Sequence, residues 1–269
     1  MSLKKAERQR RNMKTVFITG ATHNTGFAIA QKYAANGYNV AISSRNEDNA
    51  LKAAECISMK YDVKAKGYKM MLTDIDSIKC VFNNIEKDFG NLDVFVGNAA
   101  NLGVDMGLLN SNEDEYRDVI DTNLKGNFFC CKYAAQIMTK QRSGAIVIIG
   151  SVHNRRTIQG RALYTASKGA LLSLVKSMAV ELGAYGIRAN YISAGAIHTD
   201  RWNNLTEDEY QIRRGRYPIG TESYGEDIAN GVYYLGSDLS RTVTGSELTI
   251  DSGISVCLLP FTKPKNFKE

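Results

Sequence analysis

Tyr164 and Lys168 stand four residues apart in the run Tyr-Thr-Ala-Ser-Lys, and Ser151 lies thirteen residues before Tyr164, just after the apolar run 145–149. Positions i and i+4 share a helix face, and a strand end can deliver a third group to it, so this spacing gathers a phenol, an ammonium and a hydroxyl. A phenol titrating near 10 is a poor acid at neutral pH, but a cation held a few Å away lowers that value by about 1 to 3. A drop of three corresponds to roughly 4 kcal/mol, enough to make Tyr164 a usable proton donor. Tyr-x-x-x-Lys alone also fits a surface tyrosine with a lysine one turn on. The elements around it have to decide.

Residues 14–19 read as a buried strand, 20–26 as a glycine-bearing turn and 27–35 as an apolar-periodic helix that stops at Asn36-Gly37. A strand, such a turn and a helix start make a phosphate cradle, because the unpaired N–H groups and the positive end of the helix dipole face the turn. Thr19-Gly-Ala-Thr-His-Asn-Thr-Gly26 together with Tyr164-x-x-x-Lys168 resembles the short-chain dehydrogenase/reductase family. The family's turn usually reads Thr-Gly-x-x-x-Gly-x-Gly, and this chain carries Asn24 in place of the middle glycine. Asparagine is the best non-glycine occupant of left-handed backbone, so the turn is expected to survive.

The resemblance runs from Lys14 through Gly253, where Thr242-Val-Thr-Gly-Ser-Glu-Leu-Thr-Ile-Asp-Ser-Gly matches the family's closing segment. It implies a ketone–alcohol oxidoreductase with Asn123, Ser151, Tyr164 and Lys168 as catalytic residues. The cofactor would rest on Gly20, His23, Asn24, Thr25 and Gly26, on Asn98 and Ala99 of the Gly-Asn-Ala-Ala run, and on Tyr164 and Lys168. Ile197 and Thr199, after a turn in which Ala194 replaces the family's proline, would hold the nicotinamide carboxamide. Relatives usually present an aspartate to the adenine after the third strand. Alignment through Ser77 puts Met71 there, leaving Leu72 as a weaker substitute. Asn123 is expected to bond backbone groups and hold a helix kink whose carbonyl stays free for water, on a proton path through Lys168 to Tyr164.

Cofactor choice is made at the end of the second strand, where a carboxylate favours NAD. This chain offers Ser43-Ser44-Arg45-Asn46 instead. With no acid at Ser44 to repel a 2′-phosphate and Arg45 able to pair with it, the expected cofactor is NADP(H). The alternatives are an NAD-dependent sugar or polyol dehydrogenase, and a non-catalytic cofactor-sensing or nucleic-acid-binding scaffold of the same fold. The substrate class is open among 3-oxoacyl thioesters, hydroxysteroids and sugar-derived polyols. Arg155 and Arg156 behind Ser151 are compatible with an anionic one.

Strand and helix signals alternate along the chain, which implies α/β architecture: a Rossmann-type doubly wound, seven-stranded parallel sheet with helices on both faces. Strands are expected near 14–19, 39–43, 65–71, 93–97, 145–150, 186–193 and 248–251. Helices are expected over 24–36, 47–60, 74–89, 112–123 continuing to 141, 161–185 and 224–235. Thr206-x-x-Glu209 and Ser223-x-x-Glu226 read as capping boxes, and 200–217 as a helical lid carrying Trp202, Leu205, Tyr210 and Ile212. One domain, 14–253, is expected between a basic arm, 1–13, and a tail, 254–269.

The 269 residues, 43% hydrophobic and 23% charged, are ordinary for a water-soluble globular chain. Part of the net charge of +6 sits in Lys4, Lys5, Arg8, Arg10 and Arg11, a segment without stacking aromatics, so nucleic acid is not expected as a partner. Five cysteines without a Cys-x-x-Cys point to reduced, buried thiols in the cytoplasm, and three histidines without metal spacing argue against a zinc site. Apolar residues on several faces of the helices near 128–138 and 162–182 imply a homotetramer or homodimer. Arg45→Ala is expected to weaken NADPH binding about tenfold or more while sparing NADH, as read by fluorescence titration; equal losses would remove the NADP assignment.

Overall fold

The computed structural model describes residues 13–104, 107–202 and 204–258. The basic arm up to Asn12 and the tail from residue 259 lie outside the described residues. Seven parallel strands form one sheet in the order β3-β2-β1-β4-β5-β6-β7: β1 Thr15–Thr19, β2 Asn39–Ser44, β3 Ala65–Lys69, β4 Val94–Gly97, β5 Gly144–Ile149, β6 Ile187–Ala194 and β7 Glu247–Ile250. β1 lies between β2 and β4, so the strand order reverses there and opens a crevice at the carboxyl ends of β1 and β4.

Helices cover both faces of the sheet, and the two-residue period of the strands divides the core accordingly. Val16, Ile18, Val40, Ile42 and Val96 pack on one face with α1 (Asn24–Ala35), α2 (Glu47–Tyr61) and α8 (Gly225–Gly236). Phe17, Phe95, Ile146, Ile148 and Tyr191 point the other way, toward α3 (Ile75–Phe89), α5 (Gly126–Gln141) and α6 (Ala162–Leu182). Helix starts are set locally: the side chains of Asn46, Asp74 and Asn112 each accept from first-turn amides of α2, α3 and α4 (Glu113–Ile120).

The helix from 112 to 141, expected to kink at Asn123, is interrupted there by a π-helical segment, Asp121–Lys125. Three expectations change. The third strand stops at Lys69, because Met71–Asp74 turn: the Asp74 amide bonds the Met71 carbonyl, and the Met71 amide bonds Ser77 Oγ. Ser223 does not cap α8. Its backbone is held in a bridge to Ile197, so the helix begins one residue on, with Asp227 accepting from the Tyr224 amide at 2.7 Å. Of the five free thiols, only Cys130 and Cys131 are buried, whereas Cys56 and Cys80 are exposed.

At the end of β5, Gly150 leaves room for the ring of Tyr191 on β6; a Cβ there would meet Tyr191 Cζ at 1.7 Å. Gly150→Ala should therefore lower stability by about 1–3 kcal/mol in urea unfolding. An unchanged unfolding midpoint would contradict this packing.

Candidate active site

The glycine turn is built by close approach. Gly20 has φ +63°, and a Cβ on it would lie 2.8 Å from the Ala99 Cβ, while one on Gly26 would lie 2.5 Å from the Gly20 carbonyl oxygen. Asn24 adopts φ +47°, the left-handed geometry expected of it in place of glycine. Asn98 braces the turn from β4: its Nδ2 donates to the Thr19 and Gly20 carbonyls, both at 3.0 Å, and the Asn98 and Ala99 amides both bond Thr19 Oγ1. Asn24 Nδ2 lies 2.8 Å from His23 Nδ1 and donates to Asp200 Oδ2 at 3.3 Å, tying the turn to the segment after Thr199. Thr25 follows in the first turn of α1, whose amides open toward this cradle.

At the end of β2, Ser44 Oγ accepts from the Asn46 amide at 3.2 Å, and Arg45 projects as an exposed side chain. No acidic group stands between them. Leu72, expected to offer its backbone or side chain to the adenine, has a side chain that is 8% exposed and belongs to the core on the α3 and α5 side.

Asn123 lies fully buried in the π-helical segment. Its Oδ1 accepts from the Asn101 amide at 2.7 Å, and its Nδ2 donates to the Asn101 carbonyl at 2.8 Å and to Ser167 Oγ at 3.1 Å. The kink is thus fastened to the loop after β4 and to α6. The Asn123 carbonyl accepts from Asn127 Nδ2 at 2.8 Å.

The catalytic candidates converge at the carboxyl end of β5. Lys168 is buried, and its Nζ donates to the Ile149 carbonyl at 2.9 Å and lies 5.5 Å from the centroid of the Tyr164 ring. Burial lowers the Lys168 amine to about 8. The Tyr191 hydroxyl accepts from the Ser151 amide at 3.2 Å and donates to the Lys168 carbonyl at 3.0 Å, fastening the strand end to α6. Ser151 Oγ accepts from the His153 amide at 3.2 Å, which leaves the hydroxyl proton available to a substrate oxygen. The His153 ring stands edge-on to Tyr164, with centroids 5.7 Å apart. Burial, and then the Arg161 charge, hold that imidazole below its usual value.

The segment expected as a lid contains the helix α7 (Glu207–Arg214), opened by the expected Thr206–Glu209 capping box. Ile197 packs against the core and pairs with Ser223, while the Thr199 carbonyl starts the turn to Trp202. Glu222, whose side chain is wholly enclosed, accepts from Tyr210 Oη at 2.8 Å and pairs with His198 and Arg214. Arg155 pairs with Glu247, and Arg156 donates to the Cys257 carbonyl at 2.7 Å, so both behave as structural groups. Tyr191 and Glu222 were not anticipated from sequence. The one local signal was Gly150, where a strand ending in glycine marks a bulky neighbour.

A sequence model of the family described as enoyl-(acyl carrier protein) reductase matches residues 20–255. The chain belongs to the short-chain dehydrogenase/reductase family. It is 35% identical to 3-oxoacyl-(acyl-carrier-protein) reductase of Staphylococcus aureus, covering 90% of this chain and 98% of that protein. It is 34% identical to sorbose reductase of Candida albicans, covering 89% of this chain and 86% of that one. Among solved structures, ElxO with NADP bound superposes with a TM-score of 0.85 at 30% identity, covering 91% of this chain and all of that one. As a short-chain dehydrogenase/reductase the protein is an oxidoreductase, and no helix among the described residues is long and apolar enough to cross a membrane.

Glu222 sits at about 2; burial opposes this, but hydrogen bonds from its own backbone, Tyr210, Arg214 and His198 prevail. A carboxyl lowered on folding stabilises the fold fully above its unfolded value, near 4.5, and the gain is lost as pH falls toward 2. Urea unfolding from pH 6 to pH 3 should show wild type losing stability faster than Glu222→Gln, with the gap closing by roughly 2 kcal/mol. Parallel curves would contradict the assignment.

Proposed function

We propose that the protein is an NADP(H)-dependent reductase that interconverts a ketone and a secondary alcohol. The observation that carries this reading is the meeting of Ser151, Tyr164 and Lys168 at the end of β5, beside a glycine cradle too tight for any side chain at Gly20 or Gly26. That cradle fits a pyrophosphate, and Arg45, exposed beside Ser44, fits a 2′-phosphate. When bound, NADPH supplies the hydride to the carbonyl carbon.

The chain's own groups do the rest. Ser151 donates its free hydroxyl proton to the substrate oxygen and stabilises the growing negative charge. Tyr164 gives the proton that completes the alcohol. Lys168 uses one of three N–H donors on Ile149, leaving two for the nicotinamide ribose, and its nearby charge eases proton loss from the phenol. Asn123 fixes the π-helical segment against α6, and a backbone carbonyl of that kink receives the water that returns the proton. Ile197 and Thr199 hold the carboxamide, His23, Asn24 and Thr25 border the phosphates, Asn98 and Ala99 flank the adenosine ribose, and the Leu72 backbone edges the adenine. Oxidation of the alcohol uses the same groups in reverse.

The substrate falls among 3-oxoacyl thioesters, ketoses or polyols, and hydroxysteroids; relatives named for the first two classes match about equally well. The intact trio of Ser151, Tyr164 and Lys168 favours a catalyst over a scaffold. A single domain assembling as a homotetramer or homodimer belongs to the same proposal, supported by the exposed apolar side chains of Tyr116, Phe128 and Val180 on α4, α5 and α6. So does a cytoplasmic setting, which suits the exposed free thiols of Cys56 and Cys80. Tyr164→Phe should bind NADPH as wild type does and lose at least about a thousandfold in turnover across a ketone panel. Retained turnover would place the catalytic acid elsewhere.

A further inference from the structure

The helix α7 has no buried residue of its own. It is held by ring contacts to the buried Trp202, whose centroid lies 5.8 Å from that of Tyr210 and 4.5 Å from the Arg213 guanidinium, and by charge and hydrogen bonding to one enclosed carboxylate. Tyr210 Oη and His198 Nδ1 lie 2.8 and 3.1 Å from Glu222 Oε1, while Arg214 Nε lies 3.2 Å from Oε2. Arg214 also reaches the Tyr224 hydroxyl at 2.9 Å, and its guanidinium lies 4.3 Å from the Tyr210 ring centroid. Two of the four side-chain partners come from α7, and a third is the adjacent Thr221, whose Oγ1 lies 3.5 Å from Oε2. The fourth, His198, lies between Ile197 and Thr199, and its ring stacks on Tyr224 with centroids 5.1 Å apart. Its backbone is pinned as well: the His198 amide bonds the Ser223 carbonyl at 2.8 Å, and the Ser223 amide bonds the Ala196 carbonyl at 3.3 Å.

A carboxylate removed from water is tolerated only while its donors stay in place, so the cluster keeps one arrangement or comes apart as a unit. Any displacement of α7 that withdraws Tyr210 and Arg214 therefore leaves the charge under-satisfied beside His198. From this we propose that Glu222 is a positioning residue that couples the lid to the nicotinamide-facing segment: seating the nicotinamide against Ile197 and Thr199 closes α7, and a closed α7 holds those two residues in place. The proposal rests on the reading of Ile197 and Thr199 as nicotinamide contacts. Glu222 itself touches neither cofactor nor substrate and acts through His198, Tyr210 and Arg214.

The test compares wild type with Glu222→Gln, which keeps the shape and removes the charge, and with Tyr210→Phe, which removes one donor and is the milder change should the first variant fold poorly. Two ligands are titrated: NADPH, and 2′,5′-ADP, which carries the adenosine phosphates without the nicotinamide. Trypsin cleavage at Arg213, Arg214 and Arg216 is timed with and without saturating ligand. In wild type, NADPH should slow cleavage at these arginines about tenfold, and 2′,5′-ADP should not. In both variants NADPH should bind more weakly, by about tenfold for Glu222→Gln and less for Tyr210→Phe, with its protection lost and 2′,5′-ADP affinity unchanged. A purely structural role would weaken both ligands together, and that result, or wild-type NADPH affinity and protection in both variants, overturns the proposal. Failure of wild type to bind either ligand would instead refute the cofactor reading, and the coupling with it.

Discussion

The site depends on an amine kept out of water. Lys168 is buried near the end of β5, and among the described residues a cation there is sustained by one acceptor, the Ile149 carbonyl. Withdrawal from water disfavours its charge, which places the amine near the range where it gains and loses protons at physiological pH. The same position lets its charge act on the Tyr164 ring with little solvent screening. Neighbouring features serve to hold that amine still. Tyr191 bonds Ser151 on one side and Lys168 on the other, Gly150 makes room for its ring, and the Asn123 amide group ties α6 to the π-helical segment through Ser167.

The two ends of the crevice are built on different physics. The cradle end is rigid and steric: Gly20, Gly26 and Ala99 approach too closely for further atoms, and Asn98 saturates the carbonyls left over. The other end is more polar, with α7 tied to Glu222 by hydrogen bonds and to Trp202 by ring contacts. A close-packed phosphate seat beside a helix held in this way suits a protein that grips one ligand while admitting another.

Much of this was legible in the sequence because it is local. The alternating elements, the glycine turn, the left-handed Asn24, the Tyr164–Lys168 helix face and the Thr206–Glu209 box are each set by residues a few positions apart. What escaped depends on distant parts of the chain. Tyr191 looks like an ordinary strand residue until β6 pairs beside β5, when its ring passes under Gly150. Glu222 looks like surface charge until 221–224 pairs with 196–198 and α7 folds over it. Ser223 failed as a cap for a similar reason: the bridge to Ile197 claimed its backbone first.

The account stands on Lys168 being desolvated before any ligand arrives. A side-chain NMR titration of the isotopically labelled, ligand-free protein, with the Lys168 signal assigned from a Lys168→Arg spectrum, measures this directly. The account predicts a midpoint at about 8. A midpoint at the value of a free lysine, about 10.4, would mean that water reaches the amine and that the arrangement described around it is wrong.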